Sequence, residues 1–340
     1  MTFHMQKSPE SPVVALVSYP GVQQSALSGL ADLFEILPRL APEDTQPPRV
    51  TVRTITGPDM DGRVDAFIFP PSLSPSLAQP DHPLAGWARA RHAEGALACS
   101  VCAGAFWLGH AGLLDNRAAT THWALEAQFR AAFPHVRLQP EHILVDDHDV
   151  ITAGGLMAWL DLGLFLTGYW FGPDMVSRLA RHLLIDPAGR QQRHYSGFRP
   201  ARTHGDAPIL QAQRLIERDF AQPLTVVDLA SAAGLSHRTF LRRFHAATGH
   251  APASYLQQLR VEKARGELER GSGSTAAVAW SVGYQDAAAF SRVFKAVTGL
   301  TPGAYRARFC TDAAFHDRAV GSAPLSRAAH TRMTSETSPL

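Results

Sequence analysis

Apolar positions in the last third of the chain recur at helical spacing, then repeat as a set about fifty residues later. Val226, Leu229, Ala230 and Ala233 lie on one helical face, and Gly234 supplies the left-handed turn that ends such a helix. Phe240 and Phe244, four apart, predict a second helix with an aromatic face. That leaves His237, Arg238, Leu241, Arg242 and His245 toward its other side. The second copy sets Ala279, Gly283, Phe290 and Phe294 in the same order, with Ala287, Ala288, Ser291, Arg292 and Lys295 outside. Thr248-Gly249, Pro252 and Tyr255 follow the first copy, and Thr298-Gly299, Pro302 and Tyr305 the second. The glycines Gly234 and Gly283 are 49 apart and Phe240 and Phe290 are 50 apart, so the second turn holds one more residue.

Cap signals agree with this pattern. Thr225 and Asp228 form an [ST]-x-x-[DE] box before the first helix, Ser236 caps the second, and Ser274 and Asp286 take the same places in the second copy. Between the copies, residues 255–269 read as one helix with Leu256, Leu259, Ala264 and Leu268 inward, fifteen residues spanning roughly 22 Å. Two helices joined by a short glycine turn, the second with arginines opposite its aromatic face, match the motif that enters the DNA major groove. One such motif is compatible with an ordinary small bundle. Two tandem copies, matched at glycine, aromatic pair, Thr-Gly, Pro and Tyr, predict an all-α nucleic-acid reader reaching successive groove segments roughly 34 Å apart.

The first half follows another rhythm. Apolar runs at 13–18, 50–55, 65–69 and 96–101 read as strands, a helical stretch covers 24–37, and further helical patterns lie between several strands. Alternation of this kind predicts a flavodoxin-like α/β sandwich, a parallel sheet covered on both faces, with ligands beyond the carboxyl ends of the strands. Cys102 stands at such an end, between the strand Ala96-Leu-Ala-Cys-Ser-Val and the helical Ala103-Gly104-Ala105-Phe106. A strand-to-helix turn is expected to expose the thiol and to lower its pKa through the helix terminus, the logic of a nucleophile elbow.

Other candidates carry less. Cys99 and Cys102 span a strand and its turn with no second pair, so no zinc site is expected, and the histidines show no ligand spacing. Neither metal nor cofactor is expected. Asp146-Asp147-His148-Asp149, between strand-like runs, reads as a solvated hairpin turn rather than a cation site. Trp159 and Trp170 fit core helix faces, whereas Trp123 beside His122 can line a pocket. Gly154-Gly155 permits close packing or anion binding, close packing being preferred.

Composition changes the picture in two ways. With 340 residues and 45% hydrophobic content the chain can bury two cores. The net charge of +2 is unevenly spread: residues 209–309 hold thirteen Lys or Arg against seven Asp or Glu, +6, and the remainder carries −4. A basic reader joined to a mildly acidic sensor fits that split. Three cysteines make no disulfide framework, and neither a membrane-length apolar run nor a signal-peptide pattern is present, so the expected compartment is the cytoplasm. The expected organisation is a disordered N-terminus at 1–11, a sensor domain at 12–188, a linker at 189–207, a DNA-binding domain at 208–309 and a disordered tail at 310–340.

The segment Phe290-Ser-Arg-Val-Phe-Lys…Thr298-Gly-Leu-Thr-Pro-Gly-Ala-Tyr-Arg306 resembles the signature of the AraC/XylS family of bacterial transcription regulators. The resemblance implies base contacts from Arg238, Leu241 and Arg242 on the first recognition helix, and from Ala288, Ser291 and Arg292 on the second. His237 and Lys295 complete the expected DNA-facing set, and the small Ala287 and Ala288 suggest a second helix that reads fewer bases and gives more phosphate contact. The first domain resembles the PfpI/class I glutamine-amidotransferase-like superfamily, in its GlxA-like branch fused to AraC-type domains. Ser100-Val-Cys-Ala-Gly-Ala-Phe…Ala111-Gly-Leu-Leu-Asp-Asn-Arg-Ala-Ala-Thr-Thr-His-Trp123 carries that likeness.

Enzymatic relatives pair the elbow cysteine with an acidic residue, but that place here is Ala26, and Pro70-Pro71-Ser72 replaces an expected glycine pair. His122 is the one remaining candidate base. Cys102 is therefore open to three roles: a vestige, a ligand-pocket residue together with Ala103, His122 and Trp123, or a nucleophile, the last lacking most of its partners. The resemblance implies a regulator, more often an activator, working as a homodimer on promoter DNA with RNA polymerase and a small effector of the nitrogenous-metabolite class. The alternative from another class is a cysteine-dependent hydrolase or hydratase with an attached DNA-binding domain.

Overall fold

The computed structural model describes residues 11–43, 45–58, 62–74, 81–187, 190–271 and 273–310. The disordered segments expected at 1–11 and 310–340 thus lie almost wholly outside the described residues. The chain divides into two compact units, Met1–Gly197 and Phe198–Leu340.

The first unit contains strands β1 (Val13–Val17), β2 (Thr51–Ile55), β3 (Ala66–Phe69), β4 (Leu97–Val101), β5 (Ala118–Ala119), β6 (Arg137–Leu138), β7 (Leu144–Asp147) and β8 (Val150–Ala153). Its helices are α1 (Gln24–Ile36), α2 (Pro83–Ala93), α3 (Ala105–His110), α4 (Glu126–Ala132), α5 (Trp159–Phe171) and α6 (Pro173–Leu183). The main sheet runs β2-β1-β3-β4-β8-β7, while β5 and β6 form a separate pair. Every residue of β3, β4 and β8 is buried, as central strands require when both sheet faces are covered.

The parallel expectation holds for five strands, but β7 joins β8 antiparallel. The turn between them is the acidic cluster. Asp146 accepts from the His148 N–H at 3.0 Å, Asp147 accepts from the Ala118 N–H at 3.0 Å, and Asp149 pairs with Arg117 and with His92. Desolvation pushes the Asp149 carboxyl up, but hydrogen bonds from Arg117, its own backbone and His92, with the Arg117 charge, together hold it below its ordinary range. These carboxylates serve the hairpin.

The second unit is entirely helical: α7 (Ala207–Arg218), α8 (Val226–Ala232), α9 (His237–Thr248), α10 (Pro252–Glu269), α11 (Thr275–Ser281), α12 (Ala287–Thr298) and α13 (Pro302–Phe309). It has two small cores rather than one. Tyr255, Leu256 and Leu259 of α10 join Phe240 and Phe244 in the first, and Val261, Ala264 and Leu268 join Phe290 and Phe294 in the second. A helix feeding two cores cannot keep its apolar residues on one stripe, so α10 buries positions around much of its girth. Among the described residues, no helix is long and apolar enough to cross a membrane.

Residues 189–207, expected as a linker, differ from that expectation where described. Gln192–His194 forms a short 3-10 helix with Gln192 and His194 buried, and Arg190 forms an ion pair with Asp161 of α5. Farther along, Phe198 packs against the first core of the second unit, Arg202 pairs with Glu217, and Asp206 caps α7. The segment is held by polar side chains rather than by an apolar period, which is why its sequence resembles a free tether.

Gly234 and Gly283 both adopt left-handed backbone, at φ +64° and +85°. A Cβ on Gly234 would meet open space, whereas one on Gly283 would lie 2.4 Å from the Ala221 carbonyl oxygen. Gly234→Ala is expected to cost about 1–2 kcal/mol of backbone strain, and Gly283→Ala clearly more, in urea unfolding followed by circular dichroism. Equal losses would contradict the close approach at Ala221.

Candidate nucleic-acid interface and ligand cleft

The two recognition helices are built alike in detail. Ser236 accepts from the Thr239 N–H at the start of α9, and Asp286 accepts from Ala288 and Ala289 N–H groups at the start of α12. Phe240 and Phe244 meet at 5.4 Å between centroids and 51°, Phe290 and Phe294 at 5.5 Å and 51°. Tyr255 stands edge-on to Phe244 at 5.3 Å, and Tyr305 edge-on to Phe294 at 5.3 Å. Thr248 and Thr298 each return a hydroxyl bond to the carbonyl of that second phenylalanine, at 2.7 and 2.8 Å.

Burying one face fixes what the other presents. His237, Arg238 and Arg242 on α9, and Ala288, Arg292 and Lys295 on α12, are exposed, while Leu241 and Ser291 are half-buried. From 241 to 248 and from 291 to 298, the sequence of buried, half-buried and exposed positions is identical. The adjacent arginines 242 and 243 have separate duties. Arg243 bonds both carboxylate oxygens of Asp206, at 2.9 and 2.7 Å, and that hydrogen bonding holds the Asp206 carboxyl below its ordinary range. Arg242 projects from the helix beside it. Arg292 has a loose 4.0 Å contact with Asp286.

In the first unit, Cys102 follows the carboxyl end of β4 with φ +56°, the strained backbone of an elbow. Two expectations for it are corrected. The thiol is buried, at 4% exposure, and its pKa moves up, to about 11, instead of down. Burial is the larger effect; hydrogen bonds from the Ala103 and Gly155 N–H groups pull the other way and lose. Thr121 donates to the Cys102 carbonyl at 2.8 Å, so the Thr-Thr-His-Trp segment does lie against the elbow.

His122 and Trp123 are half-buried neighbours with ring centroids 5.4 Å apart, and Ala103 is buried beside the cysteine. Nδ1 of His122 accepts the Ala124 N–H at 3.1 Å, capping a short 3-10 turn. Accepting at Nδ1 places the neutral ring's proton on Nε2, which then donates rather than accepts. Ala26, which the resemblance puts in the place of an enzymatic acid, is buried. Among the described residues, no three His, Cys, Asp or Glu side chains cluster as metal ligands.

Tyr19 and Gln192 are parts of this region that carried no motif in the sequence. Tyr19 bonds the Pro70 carbonyl and packs on Trp107 at 5.2 Å between centroids. Its phenol is pushed far up by burial, with the neighbouring Cys102 adding to the shift.

Comparison with known proteins separates the same two parts. A helix-turn-helix domain model matches residues 229–308, and a DJ-1/PfpI family model matches residues 61–166. Over 236 residues the chain is 30% identical to the HTH-type transcriptional regulator ArgR of Pseudomonas aeruginosa, covering 68% of this chain and 69% of that one. The chain belongs to the AraC-type transcription regulators with a DJ-1/PfpI domain. This regulator is also 31% identical over 212 residues to the HTH-type transcriptional regulator GlxA of Rhizobium meliloti, a match spanning 64% of that relative's length. The solved DNA-binding domain of AdpA, in complex with a target DNA, is 32% identical and covers 34% of this chain and 98% of that one, with a TM-score of 0.30. Family membership makes the protein a DNA-binding regulator and sets aside the hydrolase with an attached DNA-binding domain.

The raised thiol pKa sets a reactivity profile. Below about pH 11 the Cys102 thiolate grows tenfold per pH unit, leaving on the order of one part in 10⁴ at pH 7. Iodoacetamide labelling of Cys102, followed by peptide mass spectrometry, should still be rising at pH 10, and a midpoint near pH 8 would contradict the assignment. Since the folded state holds this proton more tightly than the unfolded chain, the group's stabilising contribution is full below the unfolded thiol pKa. It is lost as pH rises toward about 11.

Proposed function

We propose that this regulator reads promoter DNA through His237, Arg238, Leu241 and Arg242 on α9 and Ala288, Ser291, Arg292 and Lys295 on α12. The observation carrying this assignment is the position-by-position match in exposure between the two helices. Arg242 and Arg292 are the base readers, since a guanidinium can bond guanine O6 and N7 together. Ala287 and Ala288 leave the second helix little to read with, so it contributes more through phosphate contact from Lys295.

The first unit acts as a non-catalytic sensor whose effector sits at Cys102, Ala103, His122 and Trp123. A protonated thiol, Ala26 in the acid's place and a His122 ring with Nδ1 engaged support binding over nucleophilic catalysis. The effector class suggested by the family is a small nitrogenous metabolite. Occupancy changes transcription by RNA polymerase through differential affinity for two states of a homodimer in the cytoplasm.

Binding to duplexes selected by the protein from a random library tests the DNA assignment. Arg242→Ala should cost about 1–3 kcal/mol and relax one base preference, while Lys295→Ala should weaken all sequences alike and reduce the salt slope by about one. An Arg242→Ala variant with unchanged affinity and base preference would place the wrong face on the DNA.

A further inference from the structure

Gln192 is 2% exposed inside a segment that otherwise reads as polar tether, and its whole amide is used. Oε1 accepts the Trp123 N–H at 3.0 Å. Nε2 donates to the Thr121 carbonyl at 2.7 Å, the His142 carbonyl at 3.0 Å and the Thr120 hydroxyl at 3.0 Å. Its own N–H donates to the Glu141 carbonyl at 2.9 Å. Room for the amide exists only because residue 154 is glycine: a Cβ there would lie 1.9 Å from Nε2. The partners identify what the amide senses. Thr121 holds the Cys102 carbonyl, Trp123 lines the proposed effector site, and Gly155, next to Gly154, donates to the Cys102 thiol.

Six residues later the chain enters the DNA-binding unit at Phe198, and it is fastened there at once. The Phe198 N–H donates to Glu262 Oε2 at 3.0 Å, and the Phe198 ring stands edge-on to Tyr255 at 4.9 Å. Tyr255 is the residue that braces Phe244 of α9.

We propose that Gln192 is a coupling residue: by gripping Thr121 and Trp123 at the effector cleft, it converts a change there into a pull on Phe198 and so on the packing behind α9. This rests on the sensor reading given above. Within each unit the steps are hydrogen bonds or packed rings, and from Gln192 to Phe198 the chain itself is the link; contiguity alone does not establish coupling, which a double-mutant cycle measures.

The full-length chain supplies the test, with the cleft itself as the probe. Cys102→Met crowds the cleft and Cys102→Ala relieves it, each in four backgrounds: wild type, Gln192→Ala, Gln192→Glu, and Gly-Ser-Gly-Ser inserted between Gly197 and Phe198. The insertion leaves Gln192 and its bonds intact, so it guards against a Gln192 variant that merely fails to fold. Two readouts are taken, amide hydrogen exchange across 198–206 without DNA, and Kd for a duplex selected by the wild-type chain. In the wild-type background at least one cleft variant should alter exchange there and shift Kd by roughly fivefold or more, and in the other three backgrounds the shift should shrink below about twofold. Equal shifts with and without Gln192 would overturn the coupling role and leave the sensor reading standing. No change in either readout in the wild-type background would overturn both.

Discussion

The DNA-binding unit depends on a tyrosine edge set against a phenylalanine, made twice. Tyr255 on Phe244 and Tyr305 on Phe294 pin the inner faces of α9 and α12, and only a pinned inner face gives the outer residues fixed positions. Each tyrosine hydroxyl is partnered: Gln213 donates to Tyr255 at 3.1 Å, and Tyr305 donates to Glu269 at 2.6 Å. Burial pushes the Tyr255 phenol up to about 12, so at neutral pH it stays uncharged and its ring belongs to the core. Phe198, arriving from the first unit, joins this same cluster.

What could be read in the sequence follows from what makes each element. The helix-turn-helix copies were legible because apolar spacing, caps and turn glycines all act within a few residues. Thr225 and Asp228 close their capping box, and Ser274 and Asp286 cap as expected. The central strands were legible because burial on both faces leaves continuous apolar runs. Gln192 was not, because one amide bonding to residues fifty to seventy positions away leaves no local pattern. The Cys102 pKa was misjudged for a related reason. The turn was visible in the sequence, but the amount of protein packed over it was not, and desolvation outweighs the Ala103 and Gly155 backbone N–H groups.

The elbow at Cys102 sets a buried thiol on strained backbone. Its backbone is left-handed, and nearby in the sequence His122 serves as a cap. Around it stand the Ala103 and Gly155 N–H donors and the Thr121–Trp123 segment, at the carboxyl end of β4, where ligands of such sheets bind.

Because α10 belongs to both small cores, the two recognition helices are separated by a solid rod of 18 residues, about 27 Å long. A tether would let the second helix search for its target; a rod does not. With α9 and α12 both on the duplex, as proposed, one base pair added between their targets would swing the distal one around by roughly 35°, beyond what a side chain can recover. On that reading, binding sites can drift in letter more readily than in length, and spacing becomes the part of the promoter that evolution is least free to edit.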